Sequence, residues 1–315
     1  MTRTAFSVLR IHLALFSVSA IFGINSVTSK YALREIDPLA LVFIRIITAA
    51  IILFILHRWT VGEKIQNAGD YARLALYSLF GIVINQTLFL KGLSMTTAIN
   101  ATVLVTTIPV TTILIAMILK KESFNVVKFL GTLVSLTGVI LLMGSERIDL
   151  SDQYFIGNAL IFLNGVSYSV FLVISKDILK RYSPLTVTTW TFVFGAFGIM
   201  PFSAAEAVTF DYSAISAWAW ACIGFLIIFA SVLVYYINSW ALKRTSSSMV
   251  AVYIYVQPVM ASLIAGIVLD ETLTAHTLLS AWLIFIGVMV VSWQSQREKK
   301  KDIDFLRESA AHLED

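Results

Sequence analysis

The chain has 315 residues, of which 58% are hydrophobic and only 13% charged, with a formal net charge of +4. A soluble domain carries roughly 25% charged residues, so too few charges are present here to clothe a dissolved globule, and a soluble α/β protein is excluded. The single cysteine, Cys222, permits no intrachain disulfide or cysteine metal cluster, and basic residues collected at helix ends rather than along one face argue against a nucleic-acid partner.

The apolar residues come in runs of about 20, the length that crosses the hydrocarbon core of a bilayer as a helix. A backbone in lipid must satisfy its own hydrogen bonds, and the alternating segments of a barrel are missing. The pattern predicts an all-α integral membrane protein whose surroundings are the lipid bilayer. Ten transmembrane helices are expected at 12–33, 38–57, 71–91, 95–119, 125–143, 155–177, 184–205, 216–241, 246–269 and 274–293. The first run lacks a small-residue cleavage site and reads as a span rather than a removable signal peptide. Residues 294–315 read as a polar cytoplasmic tail. With the N-terminus in the cytoplasm, eighteen of the 23 Lys and Arg fall on the inner side, as the positive-inside bias requires. Both termini are therefore expected to be cytoplasmic.

Polar residues deep in a span are costly unless they line a cavity or pair with one another. In span 1 these are Asn25, Ser26 and Thr28, with Lys30 near the outer end, where it can snorkel to water or serve an outer gate. Arg45 lies seven residues into span 2, roughly 10 Å deep by helix rise, where its guanidinium needs carbonyl partners at a broken helix or a wet vestibule. Asn85 and Gln86 in span 3 and Asn100 in span 4 suit either a zwitterion or interhelical bonding. Span 6 is the richest, with Asn158, Asn164, Ser167, Tyr168, Ser169, Phe171, Ser175 and Lys176. Asn164, Tyr168 and Phe171 share one helical face, as a pocket for a partly apolar metabolite would need and as ordinary packing also produces. Spans 7 to 9 add Trp190, Tyr235, Tyr236, Asn238, Trp240, Tyr253, Tyr255 and Gln257.

One pattern occurs twice. Pro109 stands thirteen residues before Glu122 in ATVLVTTIPVTTILIAMILKKESFN, and Pro258 stands thirteen before Glu271 in VAVYIYVQPVMASLIAGIVLDETLT. Ser29-Lys30 before Pro38 is matched by Ser175-Lys176 before Pro184, and Gly138 by Gly287. Five spans per copy is an odd number, so the copies enter the membrane from opposite sides, an arrangement that lets one fold open alternately to either side. Each proline frees the carbonyl four residues back, marking a substrate site, a bending point for gating, or a simple kink filled by a neighbouring hydroxyl. The two glutamates suit helix N-termini as caps or gate contacts.

These residues give the chain a likeness to a known family. AIFGINSVTSKYAL with Pro38 and Arg45, LSMTTAINATVLVTTIPVTTILIAMILKKE, and ALKRTSSSMVAVYIYVQPVMASLIAGIVLDE resemble the drug/metabolite transporter superfamily, and more narrowly its EamA-type exporters. The resemblance implies two EamA repeats, at 12–143 and 155–293, in a 5+5 inverted arrangement that exports small metabolites, amino acids or related compounds among them, across a bacterial inner membrane. Uptake or exchange of a sugar, nucleotide-sugar or phosphorylated compound is the alternative, and a non-transporting scaffold a remote one. The substrate-contact candidates are Asn25, Arg45, Asn85, Asn100, Asn164, Tyr168, Phe171, Trp190, Tyr236, Trp240, Tyr253 and Gln257. The gating or hinge candidates are Lys30, Pro109, Lys176, Pro258, Glu122 and Glu271. His12, His57, His276 and His312 stand at span ends or in the tail without metal-ligand spacing. No nucleophile–base pair is visible and no span carries a carboxylate at mid-depth. An enzyme, a cofactor and a bound metal are not expected. A monomer and a homodimer fit the chain equally.

Overall fold

A computed structural model describes residues 3–119, 125–143, 152–245, 250, 253–271, 274–287, 289–290, 293–294 and 297. The described residues form an all-α bundle, and seven of its helical stretches are long and apolar enough to cross a membrane: Leu9–Ala32, Pro38–Thr60, Ala68–Met95, Ala98–Ile118, Gln153–Ile174, Pro184–Thr209 and Ala217–Arg244. Three shorter apolar helices accompany them.

In chain order the elements are α1 (Arg3–Ala32), α2 (Pro38–Thr60), α3 (Ala68–Ser78), α4 (Asn85–Met95), α5 (Ala98–Val105), α6 (Ile108–Ile118), α7 (Val126–Met143) and α8 (Gln153–Ile174). There follow α9 (Pro184–Thr209), α10 (Ala217–Ile227), α11 (Val234–Arg244), α12 (Val256–Val268) and α13 (Ala275–Gly287). Their starts are chemically marked. The Asp37 carboxylate accepts from the backbone N–H of Leu39 and Ala40, with Pro38 opening α2. Ser183 does the same for Thr186, with Pro184 opening α9. Such caps satisfy N–H groups that the helix itself cannot, and each contributes on the order of 1 kcal/mol.

Two predicted spans are not regular helices. Between α3 and α4, Leu79–Ile84 is a six-residue π-helix, and between α10 and α11, Ile228–Leu233 is another. Each is flanked on both sides by eleven-residue helices. A π turn widens the helix and leaves backbone carbonyls to outside donors.

The spans that carry Pro109 and Pro258 are broken just ahead of those prolines. α5 stops at Val105, Thr106 and Thr107 turn, and Pro109 sits in the first turn of α6. Tyr253–Tyr255 is a 3-10 turn, and Pro258 sits in the first turn of α12. Proline is tolerated at such positions because no intrahelical N–H is required there. The hydroxyls of Thr106 and Thr107 bond the carbonyls of Val103 and Leu104, so the break carries its own hydrogen bonds.

α2 packs along α9, α4 along α8, and α1 along α12. The α1–α12 approach is close because residue 23 is glycine: a Cβ there would lie 2.8 Å from Met260 Cβ and 2.9 Å from the Gln257 carbonyl oxygen. α7 meets α13 the same way, since a Cβ on Gly138 would lie 2.8 Å from the Ser280 carbonyl and one on Gly287 would lie 2.4 Å from that of Gly131. Small residues are what bring helices together in lipid, where no hydrophobic force drives association.

Candidate functional site

The helices converge on a cavity of about 660 Å³, counting its open mouth, walled by α1, α2, α4, α5, α6, α8, α11, α12, the Tyr253–Tyr255 turn and Val250. Its apolar wall includes Leu15, Val18, Phe22, Phe89, Ile108 and Ile254. Its polar wall is made of Ser19, Asn25, Ser26, Arg45, Asn85, Gln86, Asn164, Tyr168, Tyr235, Asn238 and Gln257. Among these, Arg45 carries the only formal charge.

Arg45 is 1% exposed. Its Nε donates to Ser231 Oγ at 2.7 Å and its Nη2 to the Ala230 carbonyl at 3.1 Å, both in the second π segment. Ser231 in turn donates to the Leu226 carbonyl, five residues back. An arginine at mid-helix in lipid costs about 3 kcal/mol, and two hydrogen bonds from a charged donor, each contributing about 1.5–3 kcal/mol, offset that. The π segment thus makes a buried guanidinium tolerable. Its third nitrogen, Nη1, has no partner among the described residues.

The first π segment is filled with neutral groups. Ser167 donates to the Phe80 carbonyl at 2.7 Å, and the Tyr235 hydroxyl to the Gly81 carbonyl at 3.3 Å. Around it the amides interlock. Asn85 and Asn164 each donate to the other's backbone carbonyl, at 3.4 and 2.8 Å, while Gln86 Nε2 donates to Asn85 Oδ1 and to Tyr235. Asn238 donates to Tyr168. The network ties α4, α8 and α11 together at the cavity wall.

Beyond the cavity, at the far end of α1, two helix ends are capped by charges. Lys30 Nζ donates to the carbonyls of Leu93, Ser94 and Thr96, at 2.8, 3.3 and 2.6 Å, closing the C-terminus of α4. Glu271 accepts from the backbone N–H of Ala98 and Ile99, at 2.8 and 3.0 Å, closing the N-terminus of α5. Each charge faces the helix end of opposite partial charge, worth up to about 2 kcal/mol when partly buried. Asp270 has φ of 56° and turns the chain so that Glu271 reaches this corner. At the opposite end, Asp70 takes Arg181 at 2.7 Å and Tyr182 at 2.9 Å. Glu63 accepts there from Ser183 N–H and the Thr186 hydroxyl, at 2.9 and 2.6 Å. Partial burial would raise the Glu63 carboxyl, but these hydrogen bonds and the nearby Lys243 hold it below the usual carboxylate range.

Of the sequence-derived contact candidates, the structure gathers Asn25, Arg45, Asn85, Asn164, Tyr168 and Gln257 at the cavity. The others lie apart. Phe171 is packed on the first π segment, where a Cβ on Gly81 would lie 2.6 Å from its ring. Trp190 stands edge-on to Tyr71, and Tyr236 points away from the core and is 37% exposed. Trp240 lies under the Arg244 guanidinium, Tyr253 bonds His12, and Asn100 accepts from Thr277. Pro109 and Pro258 stand in the first turns already described, and Lys176 is half-buried after α8. Glu122 lies outside the described residues. Gln86, Tyr235 and Asn238 line the cavity although the sequence ranks them below their neighbours. The i, i+3 spacing puts Tyr235 and Asn238 on a face of α11 distinct from that of Tyr236 and Trp240, but spacing does not say which of the two faces turns inward.

Comparison with known proteins agrees with this architecture. The sequence pattern of the EamA-like transporter family matches the chain over residues 9–144 and 155–293. A protein of Archaeoglobus fulgidus described as an uncharacterized transporter is 27% identical over 286 residues, covering 89% of this chain and 96% of its own. The transporter YyaM of Bacillus subtilis, also described as uncharacterized, is 26% identical over 290 residues, covering 90% of this chain and 94% of its own. A solved crystal structure superposes with a TM-score of 0.64 at 17% identity, covering 91% of this chain and 98% of the other, and supports the fold alone.

Proposed function

Because this chain belongs to the EamA-like transporter family, and so is a transporter rather than an enzyme, we propose that it exports small organic metabolites from a bacterial cytoplasm by alternating access, with amino acids and related compounds as its first candidate cargo. In this reading ten helices form two inverted sets of five, both termini face the cytoplasm, and residues 12–143 and 155–293 are the two repeats. Two features support it: π segments of equal length between helices of equal length, and broken helices ahead of Pro109 and Pro258. Membrane carriers place substrate near mid-membrane between their repeats, beside discontinuous helices.

The observation that carries the reading is the cavity itself. Both family-matched segments contribute to its wall, amides supply donors and acceptors in place of the substrate's water shell, and Lys30 and Glu271 cap helix ends beyond the far end of α1, where a seal would form. Alternating access needs an occupied mid-depth site and one sealed end at a time. The single formal charge among the described residues of the wall argues against the alternative cargo of nucleotide-sugars and phosphorylated compounds, which want several cations.

Inverted membrane vesicles test this directly. Labelled amino acids, sugars and dyes are offered with and without a proton gradient, and export corresponds to accumulation inside. Absence of protein-dependent flux for every compound, from vesicles holding folded protein, would sink the carrier reading.

A further inference from the structure

The wall of the cavity holds three buried polar atoms without a hydrogen-bond partner among the described residues: Arg45 Nη1, Gln86 Oε1 and Asn238 Oδ1. Buried polar atoms are nearly always paired, so each unpaired one needs a reason. We propose that Arg45 anchors a substrate carboxylate, and that the cargo is a small monocarboxylate with an apolar body; this rests on the carrier reading above.

Among the described residues of the wall the only formal charge is positive, and none is acidic. An organic cation would meet repulsion with nothing to pair it, whereas an anion meets a charge-assisted donor. Ser231 and the Ala230 carbonyl hold two of the three guanidinium nitrogens, which fixes the plane of the group and leaves Nη1 for a ligand. One free donor nitrogen suits a carboxylate and leaves a phosphate dianion underpaired. Phe22, Phe89, Leu15 and Val18 offer the apolar remainder of the molecule a dry surface. Gln86 Oε1 and Asn238 Oδ1 accept from an amino or hydroxyl group beside the carboxylate. All three atoms sit within the wall, each with under 1 Å² exposed. Binding therefore comes with a small displacement of neighbouring side chains rather than the release of bound water.

The test is a melting-temperature titration of the purified full chain in detergent. The probes are leucine, methionine and phenylalanine, each against its amide and its deaminated acid. The expected result is stabilisation by the carboxylates and by the deaminated acids, with the amides about tenfold or more weaker, the effect of losing one hydrogen bond to a charged group. Arg45→Gln should abolish the acid-over-amide preference and Arg45→Lys should keep it at reduced affinity, a substrate-dependent split that a purely structural arginine would not produce. Should Arg45→Gln fail to fold, Arg45→Lys alone decides by its acid-to-amide ratio. Equal response to acids and amides overturns the anchor, as does no response to any acid. In either case continued flux of other compounds in vesicles leaves the carrier reading standing, and loss of all flux condemns that reading instead.

Discussion

The two π segments have the same length and the same eleven-residue helices on either side, yet they are filled in opposite ways. Leu79–Ile84 receives neutral hydroxyls, from Ser167 on α8 and Tyr235 on α11. Ile228–Leu233 receives a guanidinium from α2, braced by its own Ser231. The geometry is duplicated while the chemistry is not. A matched pair of backbone defects thus gives the cavity one charged side and one neutral side, and a ligand within it has a defined head and tail.

Removing each filler should break that comparison unequally. Arg45→Ala removes the charge and strands the Ser231 and Ala230 groups, at about 1–3 kcal/mol for each group left unpaired. Thermal unfolding in detergent should show the largest loss of the series, and vesicle flux should vanish. Tyr235→Phe removes the neutral hydrogen bonds to Gly81 and from Gln86, at about 1 kcal/mol each, with flux reduced rather than lost. Equal effects would mean that the two segments are interchangeable.

Gly81 sharpens the contrast. Its equivalent in the second segment is Ala230, whereas a Cβ at position 81 would lie 2.6 Å from the Phe171 ring. Gly81→Ala should cost about 1–3 kcal/mol through overpacking. The double variant with Phe171→Leu should recover part of it, a coupling that a double-mutant cycle would measure. Additive losses would show that the aromatic face of α8 is not what demands glycine there.

The end of the bundle that holds Glu63 gives a pH-dependent contrast. Glu63, between α2 and α3, has its carboxyl lowered from the reference value of 4.5. A depressed folded-state value contributes stability above the unfolded carboxyl's range, and that contribution is lost as pH falls through the folded value. Melting temperatures of the native chain and Glu63→Gln should therefore differ at neutral pH and converge in acid. The smallest effect is expected of Asp270→Gly, which relieves a left-handed backbone by less than about 1 kcal/mol and leaves Glu271 in place; a melting curve shifted downward would mean that the Asp270 side chain does more than turn the chain.

Much of this was legible in the residues. Run length placed the seven helical stretches long enough to cross a membrane, the paired prolines marked two helix breaks, and Arg45 stood out because a charge in lipid needs a reason. Glu271 was legible as a cap, since a carboxylate suits a helix N-terminus, although the helix it closes is α5 rather than its own. The π segments were not legible, because LFGIVI and IFASVL carry nothing that distinguishes a widened turn from a regular one. The face of α11 was also hidden. An apolar helix in a bundle shows no solvent side by composition, so Tyr236 and Trp240 looked as suitable as Tyr235 and Asn238. Phe171 shares the helical face of Asn164 and Tyr168, but its ring is engaged by Gly81, a contact that spacing along α8 cannot reveal.

The lone guanidinium in the cavity wall also has an electrical consequence. In a carrier that seals first one end and then the other, the membrane voltage falls mainly across the sealed side, so a stationary charge crosses part of the field each time the seal changes. One elementary charge through the full field corresponds to about 2.3 kcal/mol per 100 mV. An interior-negative potential would then draw the empty site to face the cytoplasm, and a bound monoanion would cancel the pull. Flux measured in vesicles clamped at opposite voltages should be asymmetric in the native chain, and Arg45→Lys, which keeps the charge, should preserve that asymmetry, which makes voltage a reporter of when the site is filled.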